Sequence, residues 1–354
     1  MRFIATADLH VHNYTQFARI IDGLNSRLLD CVKVLDEIEE YIVSNDDIEA
    51  FLFLGDLFNS RTKVSIEVYH LVYERLKRIK ETGVEIHILV GNHDQFLRRG
   101  VYHSIKPFSD IAHVIDQPEK FYLDKLTPVY AVPYIEDLKE RKEAIRKIIG
   151  KKQKKQGILM IHTGVAGARV SSLSDFMLKD EIRVEELYPE FFDLVLLGHY
   201  HKSQYLADNI LYLGSPLQLN FGEREDKKGF WDIKIDRTGF KANLIETHSP
   251  KFVLIDGSED EDVEFENNYV KVVLPEANDK DVKEIKESLL ELGAKSVIIN
   301  RQAKTEVKRR AENIKLGMKL EDMLIEYVKL IRTPLDRNKL IKIGKDLINA
   351  NRES

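Results

Sequence analysis

The stretch Leu196-Leu197-Gly198-His199-Tyr200-His201 combines the end of a strand with a pair of closely spaced histidines. The apolar run at 194–197 predicts a buried strand, and the glycine breaks it, so that the next side chains emerge at the strand's carboxyl end. Imidazole is largely neutral near pH 7, so two histidines separated by one residue are natural ligands for a transition metal. Because the pair alone is also compatible with ordinary strand-end residues, a metal site needs support from the sequence upstream.

Polar groups follow four earlier predicted strands in the same way. These strands lie at 3–7, 50–54, 86–90 and 158–161, and each is followed by a carboxylate, an amide or an imidazole. This mixture of ligands suits Mn²⁺, Fe²⁺, Zn²⁺ or Mg²⁺. The set is too large for one ion, and it fits two ions about 3.5–4 Å apart that share one carboxylate. The candidate metal ligands are Asp8, His10, Asp56, Asn92, His162, His199 and His201.

The composition limits the class of protein. A chain of 354 residues is long enough for one large domain and a smaller one. It has no apolar run of about 18 residues, so neither a membrane-spanning helix nor a membrane partner is expected. The single cysteine, Cys31, excludes an internal disulfide and suits a reducing cytoplasm. Because the net charge is −5, contact with nucleic acid must depend on local basic groups or on metal ions.

The order of the predicted elements indicates an α/β fold. Apolar residues recur at helical spacing over 25–42, and a second helix is predicted over 65–80, each between predicted strands. Short alternating segments at 210–213, 229–235 and 240–245 predict antiparallel strands. Helix-linked strands followed by hairpins are typical of mixed sheets that are covered by helices.

A second, smaller domain is predicted after residue 250, where the composition changes. A strand, a helix and another strand are predicted there and form a β-α-β unit. Beyond them, apolar residues from Leu320 to Ile331 form one stripe of a helix. This stripe either packs on its own domain or docks a partner. The predicted parts of the chain are a main domain at 1–249, a small α+β domain at 250–304 and a helical tail at 305–354.

Five strand-end motifs, taken in order, resemble those of the calcineurin-like metallophosphoesterase superfamily. The resemblance implies a four-layer α/β sandwich, in which two mixed β-sheets are flanked by helices. It also makes the small α+β domain a cap, with the helical tail after it. The motifs are Asp8-x-His10, Gly55-Asp56, Gly91-Asn92-His93-Asp94, His162 and Gly198-His199-x-His201.

The resemblance implies a role for each side chain of the motifs. His93 would lie over the scissile phosphate without binding metal, oriented by Asp94, and would protonate the leaving oxygen. Asp56 would bridge two divalent ions, for which Mn²⁺ is the first choice and Mg²⁺, Fe²⁺ and Zn²⁺ are alternatives. One ion would be held by Asp8, His10, Asp56 and His201. The other would be held by Asp56, Asn92, His162 and His199.

Further features are the stretches 197–204 and 212–223 and Gly229-Phe230-Trp231, which is also similar to phage-encoded members. By these features the chain resembles, within this superfamily, the SbcD-type nucleases of DNA double-strand-break repair, which include the meiotic-recombination nuclease. The resemblance covers 1–245 and is only architectural beyond that point. It implies an exonuclease and endonuclease that acts on DNA in repair, recombination and replication. It also implies a homodimer and an SbcC-type coiled-coil ATPase that binds the tail.

Three positions leave parts of this interpretation open. Some relatives have a histidine where this chain has Asn59, which leaves the balance between exonuclease and endonuclease activity undecided. His12 follows the first motif, where many relatives have glycine, and either joins the site or lies in a surface loop. His103 lies outside every motif and is either close to the pocket or an ordinary core histidine.

Basic side chains outside the motifs are the candidates for contacts with DNA phosphates. Four lysines lie close together, and two arginines form a smaller run. A run of charge is often only a solvated surface, but an acidic protein needs some cationic contact to bind a polyanion. The candidate substrate-binding residues are Lys151, Lys152, Lys154, Lys155, Arg98 and Arg99.

Two other functions would use the same residues. A metallophosphatase or small phosphodiesterase would keep the metal ligands and act on a smaller substrate, although such an enzyme needs neither a cap nor a tail. A non-catalytic subunit that clamps DNA would bind DNA and leave it uncut. Activity on linear DNA and on a small phosphate ester distinguishes these functions.

Overall fold

The computed structural model describes residues 1–96, 102–150, 155–173, 181–256, 264–274, 277–301, 318–330, 333 and 335–350. The chain divides into two compact units. The first comprises Met1–Val273 and Asn278–Asn300, and the second comprises Leu274–Ala277 and Arg301–Ser354.

Strands and helices alternate through much of the chain. None of the helices in the described ranges is both long and apolar enough to cross a membrane. In chain order the elements are β1 (Arg2–Thr6), β2 (Ile20–Ile21), β3 (Leu24–Asn25), α1 (Ser26–Val43), β4 (Ala50–Phe53), α2 (Ile66–Glu81), β5 (Glu85–Leu89), β6 (His113–Ile115), β7 (Glu119–Tyr122), β8 (Pro128–Val132), α3 (Leu138–Ile149), β9 (Ile158–His162), β10 (Leu194–Gly198), β11 (Gln204–Ala207), β12 (Ile210–Tyr212), β13 (Gly229–Asp236), β14 (Gly239–Glu246), β15 (Phe252–Ile255), β16 (Tyr269–Leu274), α4 (Asp279–Glu291), β17 (Ser296–Arg301), α5 (Leu320–Leu330) and α6 (Arg337–Ala350).

Two six-stranded sheets lie at the centre of the first unit. In the first sheet β1, β4, β5 and β6 run parallel, and β13 pairs with β1 in the antiparallel sense. In the second sheet β8, β9, β10 and β12 run parallel, and β7 and β11 are antiparallel at its edges. The spatial orders are β14-β13-β1-β4-β5-β6 and β11-β12-β10-β9-β8-β7. Both sheets are therefore mixed, as predicted.

Successive side chains of the central strands point to opposite faces of their sheet. One face packs against the other sheet, and the opposite face packs against helices. In β1, Phe3 and Ala5 lie in the core between the sheets, while Ile4 packs with residues of α1 and α2. In β9, Met160 lies in the same central core, while Leu159 packs with residues of α3. Because side chains alternate along a strand, a continuous apolar run buries both faces of a sheet. The order helices, sheet, sheet, helix confirms the predicted four-layer sandwich.

The two helices on the outer face of the first sheet were predicted from their periodicity. The side chain of Asn25 accepts hydrogen bonds from the backbone N–H groups of Arg27 and Leu28, so it caps the start of α1. The predictions at 25–42 and 65–80 agree with α1 and α2 to within one residue at each end. Both helices bury one apolar face, as their spacing requires.

The three-stranded sheet β15-β16-β17 and α4 pack within the first unit. Phe252 and Tyr269 form a small apolar core with Phe17. The Tyr269 hydroxyl donates to the buried carboxylate of Asp30 on α1, and Lys295 pairs with the same carboxylate. The predicted β-α-β unit is present as β16, α4 and β17, whereas β15 was not predicted. Aromatic packing and a shared carboxylate therefore fix this sheet to α1.

In the second unit, α5 and α6 pack against each other and confirm the predicted helical tail. Gly344 allows their close approach, because a β-carbon at this position would lie 2.5 Å from Leu324 Cδ2. The boundary predicted between 304 and 305 lies outside the described residues, and both predicted domain boundaries stay predictions. Several large apolar side chains of this unit are exposed, namely Leu320, Tyr327, Leu330, Leu335, Ile343 and Leu347.

Candidate metal centre

The first sheet places four candidate ligands at the carboxyl ends of adjacent strands. Asp8 and His10 follow β1, Asp56 follows β4 and Asn92 follows β5. Beyond the strands the two backbones stay paired, since the Asp8 N–H donates to the Gly55 carbonyl at 2.9 Å and the His10 N–H to the Asp56 carbonyl at 3.0 Å. Parallel pairing therefore continues into the loops that hold the ligands.

The second sheet places three histidines at the same edge. His162 is the last residue of β9 and pairs in register with Gly198, the last residue of β10. His199 and His201 follow at once. The backbone N–H of His199 donates to both carboxylate oxygens of Asp8, at 3.0 and 3.2 Å. This contact joins the ligand-bearing ends of the two sheets.

The backbone at the site is strained, and glycine is required beside it. Asp8, His10 and Asp56 have φ values of 55°, 48° and 57°, in the left-handed region that non-glycine residues rarely adopt. A β-carbon on Gly91 would lie 2.2 Å from Asp56 Oδ1. Strain of this kind persists where the surrounding structure enforces it, and it is concentrated at functional sites.

Among the described residues, three overlapping groups of side chains have ligand atoms within 4.8 Å of one another. Asp56 belongs to two of these groups, because Oδ2 lies 3.6 Å from His10 Nε2 and Oδ1 lies 3.5 Å from His162 Nε2. The groups are Asp8 with His10 and His201, His10 with Asp56 and His93, and Asp56 with His162 and His199.

In the group around His201, two imidazoles direct nitrogen atoms at the same point. His10 Nε2 lies 3.1 Å from His201 Nε2 and 4.0 Å from Asp8 Oδ1. His201 Nδ1 lies 2.9 Å from Glu223 Oε1. Because the carboxylate accepts the Nδ1–H, the lone pair of His201 is on Nε2 and faces the group.

In the group around His162, three donor atoms converge. Asn92 Oδ1 lies 3.0 Å from His162 Nε2 and 2.9 Å from His199 Nδ1. His162 Nδ1–H donates to the Leu54 carbonyl at 2.6 Å. Since a carbonyl can only accept, this bond leaves His162 Nε2 to face Asn92 and Asp56.

The electrostatics of the site favour cations. Burial alone would raise the pKa of Asp56, but His162 and His10 outweigh burial and hold the pKa well below its ordinary value. Burial also disfavours the charged form of His162 and so lowers its pKa, but the carboxylates of Asp56 and Asp8 outweigh burial and raise the pKa to about 9. A buried imidazole with so high a pKa indicates a negative local potential. The buried carboxylates and the converging lone pairs therefore fit divalent cations.

His93 belongs to one of the three groups, with His10 and Asp56, and its ring is held by the backbone of Asn59. Its Nδ1–H donates to the backbone carbonyl of Asn59 at 2.7 Å. Nε2 is therefore the ring nitrogen that does not take part in this hydrogen bond. Its ring is edge-on to that of His10, with centroids 4.7 Å apart. Its backbone N–H donates to Asp56 Oδ1 at 2.7 Å. The ring is therefore oriented by a neutral carbonyl, from the residue where some relatives have a histidine.

The prediction that Asp94 orients the His93 ring is wrong. Its carboxylate instead accepts backbone N–H groups from Asp56 at 2.9 Å, Gly91 at 3.0 Å and Phe58 at 3.2 Å. The Asp94 side chain is buried. Burial is the main cause that raises the pKa of Asp94 to about 7, and repulsion from Asp56 is the second cause. Asp94 therefore joins the loops after β4 and β5, and its role is to shape them.

Residues 1–203, which are more than half of the chain, match the family model described as calcineurin-like phosphoesterase. The chain belongs to the calcineurin-like phosphoesterase family. The prediction of this superfamily and of its fold class is confirmed. As a member of the family, this phosphoesterase is a hydrolase of phosphate esters.

Two curated relatives are similar along most of their own length. This phosphoesterase is 24% identical over 319 residues to exonuclease subunit 1 of Enterobacteria phage T4, covering 87% of this chain and 89% of the relative. It is 21% identical over 396 aligned positions to the DNA double-strand break repair protein Mre11 of Methanopyrus kandleri, covering 100% of this chain and 83% of the relative. Among solved structures, TT1561 of Thermus thermophilus has a TM-score of 0.42 at 11% identity, covering 69% of this chain and 98% of that one.

The structure adds contacts of this phosphoesterase that its sequence did not indicate. The ring of His199 contacts Tyr134, stacked with centroids 5.9 Å apart, and Tyr200, tilted with centroids 5.2 Å apart. Glu223 contacts His201, and Lys228 pairs with Glu223 at 2.8 Å. Glu223 lies in the stretch 212–223 that supported the family resemblance, but nothing in its spacing marked it as a neighbour of a metal ligand.

The two histidines that were left open lie outside the ligand groups. The ring of His12 is edge-on to Tyr14, with centroids 5.4 Å apart. The side chain of His103 is buried, and its Nε2 lies 3.3 Å from Asp116 Oδ2. Among the described residues, neither belongs to a group of three potential ligands. His103 is therefore a core histidine with a carboxylate partner.

Of the six basic residues that were predicted to contact DNA, only Lys155 is among the described residues. Lys155 is exposed and precedes the start of β9, whereas His162 is at the other end of that strand. A contact from Lys155 to DNA would therefore lie away from the ligand groups, and its role stays a prediction. The other five predicted residues lie outside the described residues: Lys151, Lys152, Lys154, Arg98 and Arg99.

Proposed function

We propose that this phosphoesterase is a DNA nuclease that uses two divalent cations. The observation that carries the proposal is the position of Asp56, whose two carboxylate oxygens face His10 Nε2 at 3.6 Å and His162 Nε2 at 3.5 Å. A carboxylate shared between two ligand groups is typical of sites in which paired ions promote in-line displacement at phosphorus. The position of Asp56 thus supports a pair of ions about 3.5–4 Å apart.

Two sets of ligands would each hold one cation, with Asp56 contributing to both. When bound, the cations supply Lewis-acid polarisation of the phosphate and a nucleophile from water at neutral pH. The oxygen and imidazole donors suit Mn²⁺, which we take as the functional ion, and they also accommodate Mg²⁺, Fe²⁺ and Zn²⁺. One set is Asp8, His10, Asp56 and His201, and the other is Asp56, Asn92, His162 and His199.

His93 would act on the leaving group. Its Nδ1–H is donated to Asn59, so Nε2 is the atom available to hold a proton and release it to the leaving oxygen. Its backbone N–H donates to Asp56 Oδ1, which would keep the ring close to the shared carboxylate. We therefore propose His93 as the general acid, with Asn59 as its positioning residue.

The proposed substrate class is DNA. The relatives matched over most of their length carry the names exonuclease subunit 1 and DNA double-strand break repair protein Mre11. Cations at the site would also offset repulsion between a chain of net charge −5 and a polyanion. A small-molecule phosphatase has no need of the three-stranded sheet that β15, β16 and β17 add to the sandwich.

A comparison of two substrates tests this function. With Mn²⁺ present, we expect the protein to cleave linear duplex DNA and to hydrolyse p-nitrophenyl phosphate only slowly, and EDTA should stop both reactions. Rapid hydrolysis of the small ester without DNA cleavage would instead indicate a metallophosphatase. DNA binding without cleavage under Mn²⁺, Mg²⁺, Fe²⁺ and Zn²⁺ would indicate a clamp subunit.

The second unit supports a proposal for the partner, an SbcC-type coiled-coil ATPase. Ile343 and Leu347 are four residues apart on α6, and they are 57% and 64% exposed. Exposed apolar residues at this spacing suit docking on a coiled coil. We expect Ile343→Glu with Leu347→Glu to weaken co-purification with a co-expressed SbcC-type ATPase by about tenfold or more. Lys342→Glu, which changes an exposed charge of the same helix, is the matched control. Equal recovery of the ATPase with the parent protein, the double variant and the Lys342→Glu control would contradict the proposal.

A homodimer, also predicted from the resemblance, stays a prediction.

A further inference from the structure

Behind the group around His201 lies a buried pair of opposite charges. Glu223 is 3% exposed and Lys228 is 8% exposed. Lys228 Nζ lies 2.8 Å from Glu223 Oε2 and donates to the His201 carbonyl at 2.8 Å and to Ser215 Oγ at 2.7 Å. The pair therefore contacts His201 at two points, through its ring and through its backbone.

Glu223 is fully engaged by hydrogen bonds. Oε1 accepts from His201 Nδ1–H at 2.9 Å and from Asn220 Nδ2 at 2.9 Å. Oε2 accepts from the Leu219 N–H at 3.2 Å in addition to Lys228. Removing two charges from water is unfavourable, and only good geometry with further hydrogen bonds recovers this cost. The complete set of partners shows that the carboxylate is held in one position.

The environment of His201 differs from that of the neighbouring histidines. The remote nitrogens of His162 and His93 donate to neutral backbone carbonyls, those of Leu54 and Asn59. His201 instead donates to a carboxylate. An imidazole whose remote N–H bonds a carboxylate is fixed in one tautomer and becomes a more basic ligand. His201 and His162, one proposed ligand from each cation position, thus have supports of different charge.

We propose that Glu223 and Lys228 are positioning residues that hold His201 as a ligand and strengthen the cation position that contains it. This inference rests on the proposed two-cation site. Glu223 fixes the ring with Nε2 toward His10, and Lys228 fixes Glu223 and the backbone of His201. Loss of the pair would weaken one cation position and leave the position around His162 unchanged.

The test measures Mn²⁺ affinity of the full chain by calorimetry. We expect Glu223→Gln to weaken one of two binding events by about 10–100-fold and to leave the other as in the parent protein. Because Glu223→Gln removes the nearer of the two carboxylates that pair with Lys228, the double variant Glu223→Gln/Lys228→Met is measured beside it. This variant removes both buried charges and is expected to show the same selective loss. Thermal unfolding of each variant establishes that it is folded.

Asp226→Asn is the matched control. Asp226 is buried and its Oδ2 lies 3.7 Å from Lys228 Nζ, while its Oδ1 accepts from the Ser172 N–H. Its contacts do not include His201, so both binding events should keep the parent affinity. In a His201→Ala background, Glu223→Gln should add no further loss, because the ring that it positions has been removed.

The outcomes separate this inference from the proposed function. If the parent protein binds fewer than two ions, the proposed two-cation site is wrong. If the parent binds two ions and the folded variants keep both affinities, Glu223 and Lys228 do not position a ligand. Equal weakening of both events, or further loss in the His201→Ala background, would show a general structural role and would also overturn the inference.

Discussion

His93→Asn is expected to slow the cleavage of DNA by about 10²–10⁴-fold, the usual contribution of a general acid or base. Its Nδ1–H is bonded to the Asn59 carbonyl, so Nε2 is the nitrogen that would protonate the leaving oxygen. Asparagine cannot supply this proton. The proposed metal ligands are unchanged in this variant, so the manganese content should not change. Single-turnover cleavage of a labelled duplex and elemental analysis measure the two effects.

A substrate with a better leaving group distinguishes a proton donor from a ligand. The p-nitrophenolate of bis(p-nitrophenyl) phosphate leaves without protonation, so His93→Asn should impair its hydrolysis far less than it impairs DNA cleavage. Equal loss on both substrates would contradict the leaving-group role. Loss of bound metal would instead place His93 among the ligands, since it lies in one group with His10 and Asp56.

Asp56→Asn is expected to weaken both cation positions together. The carboxylate faces His10 and His162 at 3.6 and 3.5 Å, and these residues belong to different ligand sets. Its pKa is held well below the ordinary value despite burial, because His162 and His10 favour the ionised form. One unit charge removed at about 4 Å corresponds to about 4 kcal/mol near a protein surface, or roughly 10³-fold in affinity. Manganese titration and DNA cleavage should both show the loss.

The control for this substitution is Asp116→Asn. Asp116 also lies beside a histidine, His103, at 3.3 Å, but outside the ligand groups. This variant should bind manganese and cleave DNA as the parent does. If folded Asp56→Asn loses only one ion, Asp56 serves a single position and the bridging role is wrong.

The convergence of the ligands could be predicted from the sequence because it depends on local signals. Each ligand follows an apolar run, and parallel strands present their carboxyl ends at the same edge. Glycine also marked the turns, and Gly91 shows why, since any side chain there would collide with Asp56. Burial of both sheet faces, seen in β1 and β9, likewise follows from continuous apolar runs.

Contacts around the ligands could not be predicted, because they depend on how loops pack. The family resemblance implied that the Asp94 carboxylate orients the adjacent His93 ring. In the folded chain that carboxylate satisfies three backbone N–H groups, and the carbonyl of Asn59, 34 residues away, orients the ring instead. Some relatives have a histidine at the position of Asn59, but the carbonyl of residue 59 belongs to the backbone. Asparagine at this position therefore leaves the orientation of the His93 ring intact.

Lys228 illustrates the same limit. With Lys227 it formed a short basic run, which usually indicates a solvated surface. Its ammonium group is instead buried against Glu223, and only the tertiary structure places that pair behind His201. The strand β15 was also missed, since it is defined by its pairing with β16, which lies further along the chain.

Anomalous diffraction from crystals soaked in Mn²⁺ tests the central claim most directly. We predict two manganese peaks about 3.5–4 Å apart, with the Asp56 carboxylate between them. One peak should lie beside His10 and His201, and the other beside His162 and His199. A single peak, or two peaks of which neither contacts Asp56, would contradict the proposal that this phosphoesterase cleaves DNA with a pair of bridged cations.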